Sequence, residues 1–378
     1  MKKKVVFIAT IHRNAERTFP AVLKMSDTHD IIVICAGQVS KNTTYEANRF
    51  VDYLEKHSHN ISQVIHSPAI RNPGELYKST WRALCTNIFK KKIPFRETDL
   101  VILDDSRDKV GLSDLYRLCK KHGVPVVANT HGNTSEKSWQ PVLLQGYKKF
   151  FDKLAVFGPK ERENLLSLTK EDFFLMGGIP DNDHVKDLVV ENEVILVIVN
   201  FIDPAHKQPG WYIYDKKTLD RMNLVSLQKL LKKPVVFKVK HRFGHNIAKE
   251  ISILERSVPK GLSYNIISRA ESDTKLIQNA ACVLSYGSTM CFKPIQAKIP
   301  TVIFEQLGNV GNFDDYYGTV KMGEDYFDFI LNPEKYESQR VEFLNKTISG
   351  GVKCESGDVY ASLLYGVIDE WKKKNTNQ

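Results

Sequence analysis

Short runs of branched aliphatic residues alternate along the chain with longer stretches whose apolar positions recur every three to four residues. The first run is residues 5–9, and 31–35, 100–103, 124–128 and 154–157 follow it. Between them, residues 45–57 and 112–121 carry a helical period. A continuous Val/Ile/Leu run, bounded by turn residues and followed by a helix, marks a strand buried on both faces of a parallel sheet. Repeated strand-then-helix order predicts an α/β fold. The rhythm restarts at Glu193, with runs at 194–199, 235–239, 263–267, 282–284 and 301–304. Residues 177–183 carry no core pattern and read as a connection. The pattern predicts two Rossmann-like parallel-sheet domains, residues 1–188 and 189–355. A C-terminal helix follows within 356–378, spanning about 359–374, and packs back on the first domain.

Composition narrows the class of protein but not its partner. The 378 residues are 42% hydrophobic and 26% charged, ordinary globular usage that excludes a disordered tail, a collagen-like fibre and a disulfide scaffold. Lys and Arg number 54 against 44 Asp and Glu, a formal charge of +10. That excess suits phosphate, an anionic membrane surface or nucleic acid and selects none of them. None of the six cysteines forms a C-x-x-C pair. Cys35 and Cys282 lie in apolar runs and read as buried thiols, as in a reducing compartment. Lys2, Lys3 and Lys4 precede an apolar stretch too short for a signal peptide, and no run approaches the ~20 apolar residues of a membrane span. The expectation is a cytoplasmic protein. The basic-aromatic runs 89–92 and 147–153 read as solvated faces with inward rings, as a contact with the inner membrane surface, or as a nucleic-acid track.

The most informative stretch is 275–304. A helix leads into an apolar strand, which ends in Gly287-Ser288-Thr289; a short helix follows, then Ile299-Pro300 and another strand. Small and hydroxyl residues at a helix start, outside the carboxyl end of a strand, occupy the ligand edge of an open α/β sheet. Phosphate binding and a simple N-cap are both open readings of the turn. The segments Ala280-Ala281-Cys282-Val283-Leu284-Ser285-Tyr286-Gly287-Ser288-Thr289 and Lys298-Ile299-Pro300-Thr301-Val302-Ile303-Phe304 resemble the C-terminal half of GT-B glycosyltransferase-like proteins. The nearest resemblance is to capsule Kdo transferases and CDP-glycerol glycerophosphotransferases, with UDP-N-acetylglucosamine 2-epimerases sharing the architecture. Residues 156–160, 174–183, 194–203 and 236–242 resemble further segments of these proteins in the same order, so the likeness covers roughly residues 120–310.

The resemblance implies two domains facing a cleft, with a nucleotide-sugar donor held by the second through His241, Arg242, Gly287, Ser288, Thr289 and Lys293. Two positions depart from the pattern. Arg242 stands where the glycerophosphotransferases have Pro, adding a planar fork of donors suited to phosphate or carboxylate. Lys293 falls where many GT-B enzymes carry an acid for the nucleotide ribose; a Lys cannot accept from a ribose hydroxyl, but it suits phosphate. In the first domain His131-Gly132 resembles the glycerophosphotransferase His-Gly turn, with His131 as general base on an acceptor hydroxyl and Asp105 as second candidate. His12 and Arg13 follow the first strand, in a loop expected to contact acceptor or phosphate. Asp104, Asp105 and Asp108 also suit a divalent cation, as in a GT-A enzyme. The repeated α/β half argues against that class, and neither a metal nor another cofactor is expected. The acceptor class is a glycan, a lipid-linked sugar or nucleic acid. A polyol-phosphate transferase, a UDP-N-acetylglucosamine 2-epimerase and a non-catalytic binding protein of the same fold are the rival readings.

Overall fold

The computed structural model describes residues 2–10, 12–36, 45–66, 87–105, 112–130, 150–169, 171–199, 214–239, 246–268, 273–286, 288–305, 313, 315–321 and 323–376. The chain divides into two compact units, Met1–Asp183 with Asn345–Gln378, and His184–Leu344.

The first unit is built on seven parallel strands: β1 (Lys3–Ala9), β2 (His29–Cys35), β3 (Gln63–His66), β4 (Thr98–Leu103), β5 (Val126–Asn129), β6 (Lys153–Val156) and β7 (Phe174–Met176). Their spatial order is β3-β2-β1-β4-β5-β6-β7, the doubly wound order in which the chain reverses direction beside the first strand. Period-2 alternation explains why residues 5–9 of β1 are all apolar: Val5, Phe7 and Ala9 pack on one face of the sheet and Val6 and Ile8 on the other. The first face is covered by the helix His12–Leu23, through Ala15, Phe19 and Val22, and by the C-terminal helix Ser356–Thr376, through Tyr360 and Leu364.

Specific contacts anchor that last helix. The Asp183 carboxylate accepts from the backbone N–H groups of Ser356 (2.9 Å) and Gly357 (2.6 Å), satisfying donors that a helix start leaves open. Trp371 Nε1 donates to the Gly123 carbonyl at 2.7 Å. Lys372 meets Asp99 at 2.6 Å, and Asp99 also lies 3.6 Å from His29. The segment 177–183, patternless in sequence, is therefore largely buried and serves as a clamp.

Burial holds the His29 imidazole below its ordinary pKa, against the pull of Asp99. The unfolded chain takes up this proton near pH 6.5, before the folded chain does. Stability is thus full above about pH 6.5 and declines as pH falls toward the depressed folded value. Thermal melts at pH 7.5 and 5.5 should show a smaller loss for His29→Gln than for the wild type; an equal loss would assign it to other groups.

The second unit has six parallel strands: β8 (Val194–Val199), β9 (Val235–Val239), β10 (Tyr264–Ile267), β11 (Ala280–Ser285), β12 (Thr301–Phe304) and β13 (Thr319–Val320). Their order is β10-β9-β8-β11-β12-β13, the same winding again. The core joins Ile195, Val197, Phe237, Leu284 and Phe304 to Leu219, Leu227 and Leu254 from the covering helices.

The described cysteines Cys35, Cys119, Cys282, Cys291 and Cys354 are buried, and no disulfide joins them. Burial pushes the Cys35 and Cys282 thiols up to about 12, which makes them poor nucleophiles. Among the described residues no helix is long and apolar enough to cross a membrane.

Candidate functional site

In a parallel sheet every strand ends on the same edge, so the residues following β1, β4, β5 and β11 line carboxyl edges by topology alone. In the first unit this edge is internally braced. Asp104, just past β4, accepts from the Thr10 backbone N–H and from the Thr10 hydroxyl, each at 2.7 Å, and is fully buried. That bracing ties the ends of β1 and β4 together. Asn129, the last residue of β5, donates to the Leu103 carbonyl at 2.7 Å and accepts from the Tyr360 hydroxyl at 2.9 Å. Asp105 is also fully buried. Asp108 and His131 lie outside the described residues.

His12 and Arg13 form the first turn of a helix rather than a loop. His12 is only 4% exposed and turned into the unit, whereas Arg13 is exposed. One turn further on, Arg17 lies with its guanidinium 5.1 Å from the centroid of the Phe157 ring. The Phe157 backbone N–H donates to Glu161 at 2.7 Å. Burial lowers the Arg17 pKa, opposed by the charges of Asp181 and Glu161, while Arg13 lowers it and Asp105 raises it. Arg17 escapes a reading by strand ends because it sits in a helix; the signal for it is a cation among the buried positions Ala15, Thr18 and Phe19.

In the second unit Ser288 takes the N-cap role. Its hydroxyl oxygen accepts from Met290 N–H at 3.3 Å, and its carbonyl from Cys291 N–H at 2.8 Å. These bonds start a short 3-10 turn, Thr289–Cys291, that runs into the helix Phe292–Gln296. The cap uses the Ser288 oxygen as acceptor and leaves its O–H able to donate. Lys293 is 7% exposed within that helix. His241, Arg242 and Gly287 lie outside the described residues, so of the six donor-side candidates the structure describes Ser288, Thr289 and Lys293.

Phe89 and Phe151 are buried in the first core, while Lys90, Lys91 and Lys92 are exposed. At these positions the rings face inward and the cations meet solvent.

No protein-family model and no curated protein sequence matches the chain. Solved structures do. UDP-N-acetylglucosamine 2-epimerase from Methanocaldococcus jannaschii superposes with a TM-score of 0.60 at 12% identity, covering 97% of this chain and 100% of that one. The enzyme of that name from Neisseria meningitidis, bound to UDP-GlcNAc, gives 0.59 at 13%, covering 96% and 100%. A glycosyltransferase from Rickettsia africae gives 0.55 at 14%, covering 100% of both chains. At such identities the likeness is one of fold: two parallel-sheet α/β units of seven and six strands, the GT-B-like architecture.

Proposed function

We propose that the protein is a GT-B-type glycosyltransferase, moving a sugar from a nucleotide-activated donor to an acceptor hydroxyl without a metal. The observation that supports it is the repeated doubly wound sheet over the full length of solved proteins named as nucleotide-sugar epimerases and a glycosyltransferase. The unit His184–Leu344 holds the donor through His241, Arg242, Gly287, Ser288, Thr289 and Lys293, with cationic side chains and hydroxyl donors stabilising the leaving phosphate. The first unit holds the acceptor, a glycan or lipid-linked sugar, with Arg13 and His12 near it and His131 as base. Exposed lysines such as Lys90, Lys91 and Lys92 suit peripheral contact with an anionic membrane. The names of the structural neighbours favour a second reading, a UDP-N-acetylglucosamine 2-epimerase.

The double variant Ser288→Ala with Thr289→Ala tests the donor assignment. Each hydrogen bond lost to a charged phosphate costs ~1.5–3 kcal/mol, so the donor Kd should rise at least tenfold in a protein that still folds. A lost N-cap contributes about 1 kcal/mol to stability, which a melting curve reads separately. An unchanged donor Kd would remove this turn from the site.

A further inference from the structure

We propose that the amino edge of the first sheet, around the starts of β1, β4 and β5, is a docking face for an anionic lipid bilayer. The proposal rests on the peripheral contact read above and deepens it, naming the face that makes the contact and the way the unit then points.

In a parallel sheet the strands start on the edge opposite their carboxyl ends, and the connecting helices finish there. The helices at 87–92, Leu112–Lys121 and Ser356–Thr376 all meet this edge with their C-termini. Contacts join the pieces into one surface. Lys3 Nζ donates to the Arg96 carbonyl at 3.4 Å, and the Phe95 ring stacks on His122 with centroids 4.9 Å apart. Gly123, next to His122, accepts from Trp371. The Trp371 ring lies 4.6 Å from Lys120 Nζ and 5.9 Å from Lys374 Nζ.

This surface is positive. Glu97 meets Lys4, Asp99 meets Lys372, Asp152 meets Lys120, and Glu370 meets Lys153 and Lys374. Lys90, Lys91, Lys92, Arg96, Lys121 and Lys373 are exposed and have no ion pair among the described residues. Lys2 and Lys3 are exposed as well. Asp27 and Asp30 beside β1, with Asp369, are the nearby acids left to oppose them, and the cations outnumber these. The macrodipole accounts for a cation or two at each helix end. It gives no reason for Lys2 and Lys3 at a strand start, or for Arg96 in the short turn Phe95–Glu97. Among the described residues the opposite edge instead mixes Asp104, Asp105, Glu161 and Asp181 with Arg13, Arg17 and Lys160.

The rings decide between lipid and nucleic acid. Phe89, Phe95 and Phe151 are buried, and Trp371 already donates its N–H to Gly123 and stands against Lys120. Bases therefore find little here to stack on. Helix C-termini, unlike N-termini, hold out no N–H groups to the phosphates of a duplex. Anionic headgroups ask only for a positive field spread over a broad face. Docked this way, the unit turns its carboxyl edge, with the proposed acceptor residues, away from the bilayer.

Co-sedimentation of the full chain with phosphatidylcholine vesicles, with and without phosphatidylserine, tests this. Binding should require phosphatidylserine and weaken as salt rises. Each lysine near such a surface changes affinity about fivefold, so Lys92→Gln/Lys121→Gln/Lys373→Gln should bind on the order of a hundredfold more weakly. The same charge change in the second unit, Lys217→Gln/Lys229→Gln/Lys260→Gln, should leave binding near wild type. All six side chains are exposed, so both variants should melt with the wild type. No binding to phosphatidylserine vesicles, equal binding to both kinds of vesicle, or equal loss in the two triple variants would overturn the proposal. So would tighter binding to a DNA duplex or a single-stranded oligonucleotide at the same salt, lost in the first triple variant. Nucleotide titration reads the donor assignment separately. A chain that binds nucleotide but no vesicle keeps that assignment and loses the docking face; one that binds vesicles but no nucleotide keeps the docking face and loses the transferase reading.

Discussion

Gly178→Ala should destabilise the first unit by about 3 kcal/mol or more. Gly178 adopts φ +68°, in the left-handed region, and a Cβ added there would lie 2.3 Å from the Ser349 carbonyl oxygen and 2.5 Å from the Ser356 hydroxyl. The backbone conformation alone costs a non-glycine residue about 1 kcal/mol, and overpacking adds about 1–3. The nearest atom in the way is the backbone oxygen of Ser349, and the next are Oγ and Cβ of Ser356; the Ser356 hydroxyl donates to Ser349 O at 2.6 Å, which ties the two together and leaves them little room to give. The damage should reach the Asp183 clamp and free the start of the helix Ser356–Thr376. In a unit of this size each kcal/mol moves Tm by roughly 2–4 °C, so a drop of about 6–12 °C is expected, with hydrogen exchange accelerating first at residues 356–364. A Tm within about 2 °C of wild type would show that the segment can shift aside.

His131→Asn should lower kcat by ~10²–10⁴ while donor affinity stays near wild type. The proposed base belongs to the first unit, whereas every proposed donor contact belongs to the second, so only the acceptor side should be damaged. A neutral imidazole accepts the acceptor's hydroxyl proton, and a protonated one cannot. The wild-type rate should therefore fall below about pH 6.5, and the Asn variant should lose that limb. Near-normal kcat would refute the role. A limb that persists at lower pH would point to Asp105, which is fully buried just past β4.

Strands whose two faces are both buried were plain in the sequence. The runs at 31–35, 194–199, 235–239 and 301–304 end where β2, β8, β9 and β12 end. The strands that escaped detection are edge or near-edge elements without such a run. β3 is Gln63–His66, with Gln63 and Val64 exposed, and β13 has only two residues. The clamp at 177–183 was illegible because its partners, Ser349, Ser356 and Gly357, lie some 170 residues away along the chain. Strand-end logic drew attention to Asp104, Asp105 and Ser288, but the pairing of Asp104 with Thr10 joins two strands that the sequence does not show to be neighbours.

The central claim is that this chain works on a nucleotide-activated sugar. Calorimetric titration of the full-length protein with UDP, CDP and UDP-N-acetylglucosamine, followed by analysis of the products, tests it most directly. The account predicts saturable binding of at least one nucleotide, loss of that binding in the Ser288→Ala/Thr289→Ala variant, and release of free nucleotide as the sugar is transferred or hydrolysed. Formation of the 2-epimer would select the epimerase reading. No binding of any nucleotide by a folded protein would contradict the account and leave a ligand-binding protein that keeps the fold without the chemistry.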